Sequence, residues 1–176
     1  MLLPIRNIGR ASSSPVASLP PKHRLLEACR GLPVETGPPD EHLVLRCACR
    51  LAELHEQRMA AEPGTVTVTE IDHDRARLVH DIDGWVVREL PTAHGGARMH
   101  TETVGTVVDR LAQFSAQAYS TLTGAPEWMV HDAWRRLSEL AVAYEDLAVD
   151  VTGGVCRLPD FSGHHEYDRG PHEFEH

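Results

Sequence analysis

His100-Thr101-Glu102-Thr103-Val104-Gly105-Thr106-Val107-Val108-Asp109-Arg110-Leu111 is the stretch that decides how this chain is read. At about 100° per residue, Val104, Val107, Val108 and Leu111 share one side, the apolar stripe of a helix that faces a core. A second side carries Glu102, Gly105, Asp109, Ala112 and Ala116. Two carboxylates there sit among residues small enough for another backbone to approach. Glycine inside a helix costs up to about 1 kcal/mol relative to alanine, so Gly105 is expected where two helices touch closely. The stretch predicts a helix from near Thr101 to near Leu122, ended by Thr123-Gly124-Ala125-Pro126.

Further amphipathic segments lie on both sides. A short helix is expected over Lys22 to Arg30, stopped by Gly31 and Pro33. A long one runs from about Glu41 to Ala61, with Asp40 as its cap and Val44, Cys47, Ala48, Leu51 and Leu54 as its stripe. His55 and Arg58 fall within that stripe, Glu53 and Glu56 opposite. Val66-Thr67-Val68 alternates like a strand but is too short to be one. Thr69 and Asp72 resemble a capping box for a helix reaching about Leu90. Its inward side holds Ile71, Leu78, Val79, Ile82, Trp85 and Val86. Arg75 and Glu89 share that side, Asp72 and Asp83 lie at its edge, and His73 and His80 point away. The last helix has the cleanest seam, Val130, Trp134, Leu137, Ala141, Tyr144, Ala148 and Val151, before Gly153-Gly154. Trp128 lies opposite that seam, as a packing residue for the N-terminal segment or an exposed contact for a partner.

The expected architecture is all-α: an antiparallel four-helix bundle-like domain over 22–155, with an extra short N-terminal helix and flexible tails. Residues 1–21 read as a disordered basic arm and 156–176 as a flexible, acidic, His-containing tail. The 176 residues fit one domain, and 41% hydrophobic content supports a core built on Leu, Val and Ala, since aromatics make up only 5%. The formal charge of −9 repels a phosphate backbone, which argues against nonspecific nucleic-acid binding. No segment approaches the length of a membrane span, and Met1 to Ile8 is too short and interrupted for a signal-peptide core. Cys29, Cys47, Cys49 and Cys156 lack zinc-ligand spacing and read as reduced thiols of a cytoplasmic protein.

Three motifs carry a resemblance. Leu51-Ala-Glu-Leu-His55-Glu56-Gln-Arg58, then Arg75-Ala-Arg-Leu78-Val-His-Asp-Ile82-Asp83, then Glu102-Thr103-Val-Gly105-Thr-Val-Val-Asp109-Arg110-Leu111 resemble the bacterial family called domain of unknown function 4254. The resemblance covers roughly residues 40 to 152, and the third motif is the most specific. It implies a soluble, mainly helical bacterial protein and brings no activity with it. The matching positions are His55, Arg58, Arg75, Asp83, Glu102, Gly105, Asp109 and Arg110.

A buried arginine without a partner costs several kcal/mol, so the polar residues on apolar stripes must meet carboxylates, carbonyls or a ligand. One reading is an ion-pair network that fixes helix register. The other is a polar interhelical site, formed from His55, Arg58, Arg75, Asp83, Glu102, Asp109 and Arg110, that recognises a small molecule or anion. Metal-assisted hydrolysis at such a site would use a divalent metal. Glu70 and His73 have the spacing of a di-iron motif, but His73 points away from the stripe. Glu53 and Glu56 have the spacing of a helical pyrophosphatase pair on the outer side, with no second acidic pair evident. No serine or cysteine triad motif is present. The alternative function is a non-enzymatic scaffold that binds another protein, and a homodimer fits either function. A cavity lined by Arg75, Glu102 and Asp109 would favour the site. The same groups already paired, beside an exposed apolar patch, would favour the scaffold.

Overall fold

The computed structural model describes residues 17–32 and 42–160. Most of the expected basic arm (1–16) and most of the expected C-terminal tail (161–176) therefore lie outside the described residues. Five helices occur among the described residues: α1 (Lys22–Cys29), α2 (Leu43–Ala60), α3 (Val66–Glu89), α4 (Val104–Thr121) and α5 (Glu127–Thr152). The protein is all-α and bundle-like, with one two-stranded sheet of β1 (Arg98–Met99) and β2 (Cys156–Arg157).

α4 is the hub. It touches α1, α2, α3 and α5, whereas α2 and α5 make no direct contact among the described residues. α1 touches α2, α4 and α5, burying Leu25, Ala28 and Cys29. The core centres on Val104, Val107, Val108 and Leu111 of α4, with Val44, Ala48 and Leu51 of α2 and Leu137, Ala141 and Tyr144 of α5. Tyr144 is fully buried, and its hydroxyl donates to the Pro20 carbonyl at 2.8 Å. That bond and the burial of Leu19 place residues 17–21 on the body, so the arm expected to end at residue 21 joins the fold sooner. The body also continues past residue 155. Cys156 is buried, β2 runs parallel to β1, and the Arg157 guanidinium donates to the Ala97 carbonyl. Arg98 pairs with Asp150 beside it. This clasp holds the α3–α4 connection to the end of α5.

α3 differs from its expected form. It begins at Val66, so Val66-Thr67-Val68 is its first turn, and Thr69 caps nothing. Gly64 turns the chain with a φ of 78°, and the Thr65 hydroxyl donates back to the Glu62 carbonyl at 2.9 Å. β-branched residues lose only tenths of a kcal/mol in a helix, so tertiary packing overrides their alternation. Only Ile71, Ile82 and Val86 of its 24 residues are buried, and Glu89, expected on the inward side, is exposed.

α4 starts at Val104, with Thr103 as its N-cap accepting from the Thr106 N–H. Glu102 therefore precedes the helix and does not share a helical face with Asp109. Gly105 is where α3 and α4 meet. A Cβ built there would lie 2.4 Å from the Val79 carbonyl oxygen and 2.9 Å from Asp83 Oδ1. Gly105→Ala gains about 1 kcal/mol in helix propensity but drives a methyl into backbone, and overpacking costs about 1–3 kcal/mol or more. We expect a net loss of stability in urea unfolding for Gly105→Ala, with Gly105→Leu worse again. Equal or raised stability for the alanine variant would show that the helices part freely.

Candidate functional site: a polar relay ending in a groove

His55 and Asp109 meet through the spacing of their helices. His55 continues the apolar stripe of α2 and is 4% exposed. Asp109 lies one turn beyond Gly105, on the side of α4 that the glycine opens to α3. The His55 Nε2 lies 2.9 Å from Asp109 Oδ1. Arg75 of α3 reaches the same carboxylate with two donors, Nε to Oδ1 at 3.2 Å and Nη2 to Oδ2 at 2.6 Å. Its third nitrogen, Nη1, donates to Asp72 Oδ1 at 2.8 Å. Asp72 in turn accepts from Arg58 of α2, from Nε at 2.7 Å and from Nη2 at 3.0 Å. The order His55–Asp109–Arg75–Asp72–Arg58 is a relay across α2, α4 and α3. Two guanidiniums face two carboxylates along it.

Burial pushes the Asp109 carboxyl up, but the hydrogen bonds and charges of His55 and Arg75 outweigh it and hold the group below the usual carboxylate range. Asp109 is thus a carboxylate and can only accept, so the His55 Nε2 carries the proton it donates. At the exposed end, Asp72 is also held low, first by its hydrogen bond to Arg58.

The other candidates stand apart. Asp83 accepts from the Gly105 N–H at 2.7 Å and also hydrogen-bonds the Thr103 side chain. It closes the start of α4 from α3, since the first N–H groups of a helix have no partner within it. Burial raises its pKa, offset in part by those two hydrogen bonds. Glu102 and Arg110 form a separate, half-exposed pair, with Arg110 Nη1 donating to Glu102 Oε2 at 3.1 Å. Neither lies in the relay.

A groove of about 150 Å³ opens between α2 and α4. His55, Arg58 and Met59 line it from α2, Gln113 and Gln117 from α4. Arg75, Glu102 and Asp109 do not line it; each is already paired. The sequence marks Asp72 only as a capping-box and stripe-edge residue and does not single out Met59, Gln113 or Gln117. Their spacing carried a signal: Asp72 stands three residues before Arg75, and Gln113 and Gln117 continue the four-residue steps from Asp109. A second groove of about 250 Å³, between α4 and α5 at Phe114, Met129, Asp132 and Arg136, touches no relay residue.

Among the described residues no three His, Cys, Asp or Glu side chains come together as a metal ion requires. Cys29 and Cys47 are buried thiols, pushed up by burial to about 12 and about 11. Among the same residues no helix is long and apolar enough to cross a membrane.

Residues 48–159 match the family described as protein of unknown function (DUF4254). The chain belongs to that family. The match runs from the first turns of α2 through β2 and so contains the relay, the groove and the clasp. No curated protein and no solved structure matches the chain.

Asp109→Asn removes the charge that Arg75 faces in a half-buried setting. A loss of about 3 kcal/mol is expected, the low end for breaking a buried pair because Asp72 still holds Arg75. The folded carboxyl is depressed, so its contribution is complete above the unfolded pKa and is lost as pH falls through the folded value. Urea unfolding of the wild type should therefore weaken below about pH 4, and Asp109→Asn should show a shallower acid dependence. Equal acid slopes for both proteins would contradict this assignment.

Proposed function

We propose that this protein is a helical binding module that recognises a small polar molecule in the groove between α2 and α4, with the relay as its floor. The observation that supports this is the composition of the groove. One helix side presents His55, Arg58 and Met59 at i, i+3 and i+4, and the other presents Gln113 and Gln117 at i and i+4. Such a set supplies hydrogen-bond donors, acceptors and a thioether surface in one concavity between helices, a place where bundle proteins build small-molecule sites. Arg58 is already shared with Asp72, so the groove suits a neutral or singly charged ligand better than a multiply charged anion. Among the described residues no cluster of metal ligands stands beside the groove, and its donors and acceptors support recognition.

A scaffold that binds another protein is the second reading. It is favoured by the pairing of Arg75, Glu102 and Asp109 and by Trp128, which stands 69% exposed at the start of α5. A thermal-shift screen of small hydroxylated, amidated and carboxylated metabolites separates the two. At least one compound should raise the melting temperature of the wild type and leave Gln117→Trp, whose indole fills the groove, unchanged. If no compound shifts the wild type, the scaffold reading takes its place.

A further inference from the structure

One residue, Gln117, lines both grooves. α2 and α5, which form their outer walls, make no direct contact among the described residues, so the grooves lie side by side over the last turns of α4. Their chemistry differs. In the first, no hydrogen bond among the described residues engages the side-chain amide of Gln113 or Gln117. Each amide both donates and accepts. In the second, the polar groups are already engaged. Ser120 Oγ donates to the Gln117 carbonyl at 2.8 Å, and Thr121 Oγ1 to the Ala118 carbonyl at 2.6 Å. Arg136 Nε meets Asp132 Oδ2 at 2.9 Å. What these pairings leave is apolar: Phe114 of α4 with Met129 and Ala133 of α5. Met129 is 40% exposed, and an unbranched thioether adapts to the shape of what it meets. The second groove reaches from Phe114 to Thr121 on α4 and from Met129 to Arg136 on α5, a length of about 10 Å at the helical rise.

We propose that the two grooves bind one ligand, an amphiphile with an uncharged polar head and an alkyl or acyl chain. The head exchanges hydrogen bonds with Gln113 and Gln117. The chain, of up to about eight carbons for that length, crosses Gln117 and lies on Phe114, Met129 and Ala133. This rests on the first groove being a ligand site and names the class it takes. A head of hydroxyls or amides fits because Arg58 and Arg136 are already paired with carboxylates. Polyols and sugars without a chain use the first groove alone. Each methylene taken fully out of water strengthens binding by up to about four-fold, and by about two-fold where one side stays wet, as in an open groove.

Methyl, butyl, hexyl and octyl β-glucosides, used below their micellar concentrations, carry one neutral head and a graded chain. NMR titrations of the full chain follow the Gln113 and Gln117 side-chain amides and the Met129 methyl. All four compounds should move the amides, and the Met129 methyl should respond from butyl onward. Octyl should bind at least about ten-fold more tightly than butyl. Met129→Glu puts a charge in the second groove, in the first turn of α5, where an acid is tolerated. It should bind methyl glucoside as the wild type does and lose the gain from butyl to octyl. Val149→Glu, exposed on α5 and outside both grooves, should keep that gain. A flat affinity from butyl to octyl, a gain that Met129→Glu retains, or one that Val149→Glu also loses overturns the proposal. If the affinity is flat while methyl glucoside still moves the amides, the first groove remains a ligand site and only the chain is refuted. If no glucoside moves the amides the proposal falls, and a blank thermal-shift screen beside it removes the ligand site as well.

Discussion

The carboxylate of Asp109 is the constraint on which the arrangement of α2, α3 and α4 depends. An ionised group in that position costs several kcal/mol unless donors surround it. Its donors come from two other helices, the imidazole of α2 and the guanidinium of α3. Each helix must therefore arrive at one height and one rotation. Hydrophobic burial imposes no such condition, because it depends on area and not on direction. α3 shows why direction matters. With Ile71, Ile82 and Val86 as its only buried residues, it has too little apolar surface to choose one register along its length.

Two attachments on one side of α4 provide that choice. Gly105 lets the α3 backbone come in at Val79, and Asp83 takes the Gly105 N–H. One turn on, Asp109 takes Arg75. As α4 advances from residue 105 to 109, its partners on α3 step back from 83 and 79 to 75, which is the signature of antiparallel helices. The close approach and the ion pair support each other. Without the glycine the guanidinium would sit further from Asp109, and without the ion pair α3 would rest there on its few apolar contacts and the Asp83–Gly105 hydrogen bond alone.

The helical periods of α2, α4 and α5 were legible because each repeats its apolar residues over four turns or more, long enough for the pattern to outweigh local exceptions. The start of α3 was not, since Val66-Thr67-Val68 alternates over three residues and only the turn at Gly64 and Thr65 decides it. β1 and β2 were invisible for a related reason: two residues carry no period, and their pairing joins positions 98 and 156. Within the site, the polar residues on apolar stripes correctly marked His55 and Arg75 as needing partners, and the small side of α4 marked Asp109. Pairwise assignment failed at Glu102. The cap at Thr103 ends the helix before Glu102, and the carboxylate turns to Arg110 instead. Asp72 was missed as a relay member because it sits at the stripe's edge, where a charge needs no explanation until the arginine of a neighbouring helix is known to lie beside it.

A structural network does not exclude the proposed ligand site, because the two ends of the relay, His55 and Arg58, also line the groove. Beside the contact of Gly105 with Asp83 and Val79, what fixes register passes through Asp109, Arg75, Asp72 and one edge of the His55 ring. A single donor at residue 55 would suffice for that purpose, and an amide could provide it. Histidine adds a second ring nitrogen on the far edge, held rigidly in place by the hydrogen bond at the first. The cost of burying the relay is met by its internal pairing. An orienting carboxylate behind an imidazole fixes the orientation of a ring that lines a concavity. The rigidity that makes α3 hold its place is thus the same rigidity that gives the groove a defined floor.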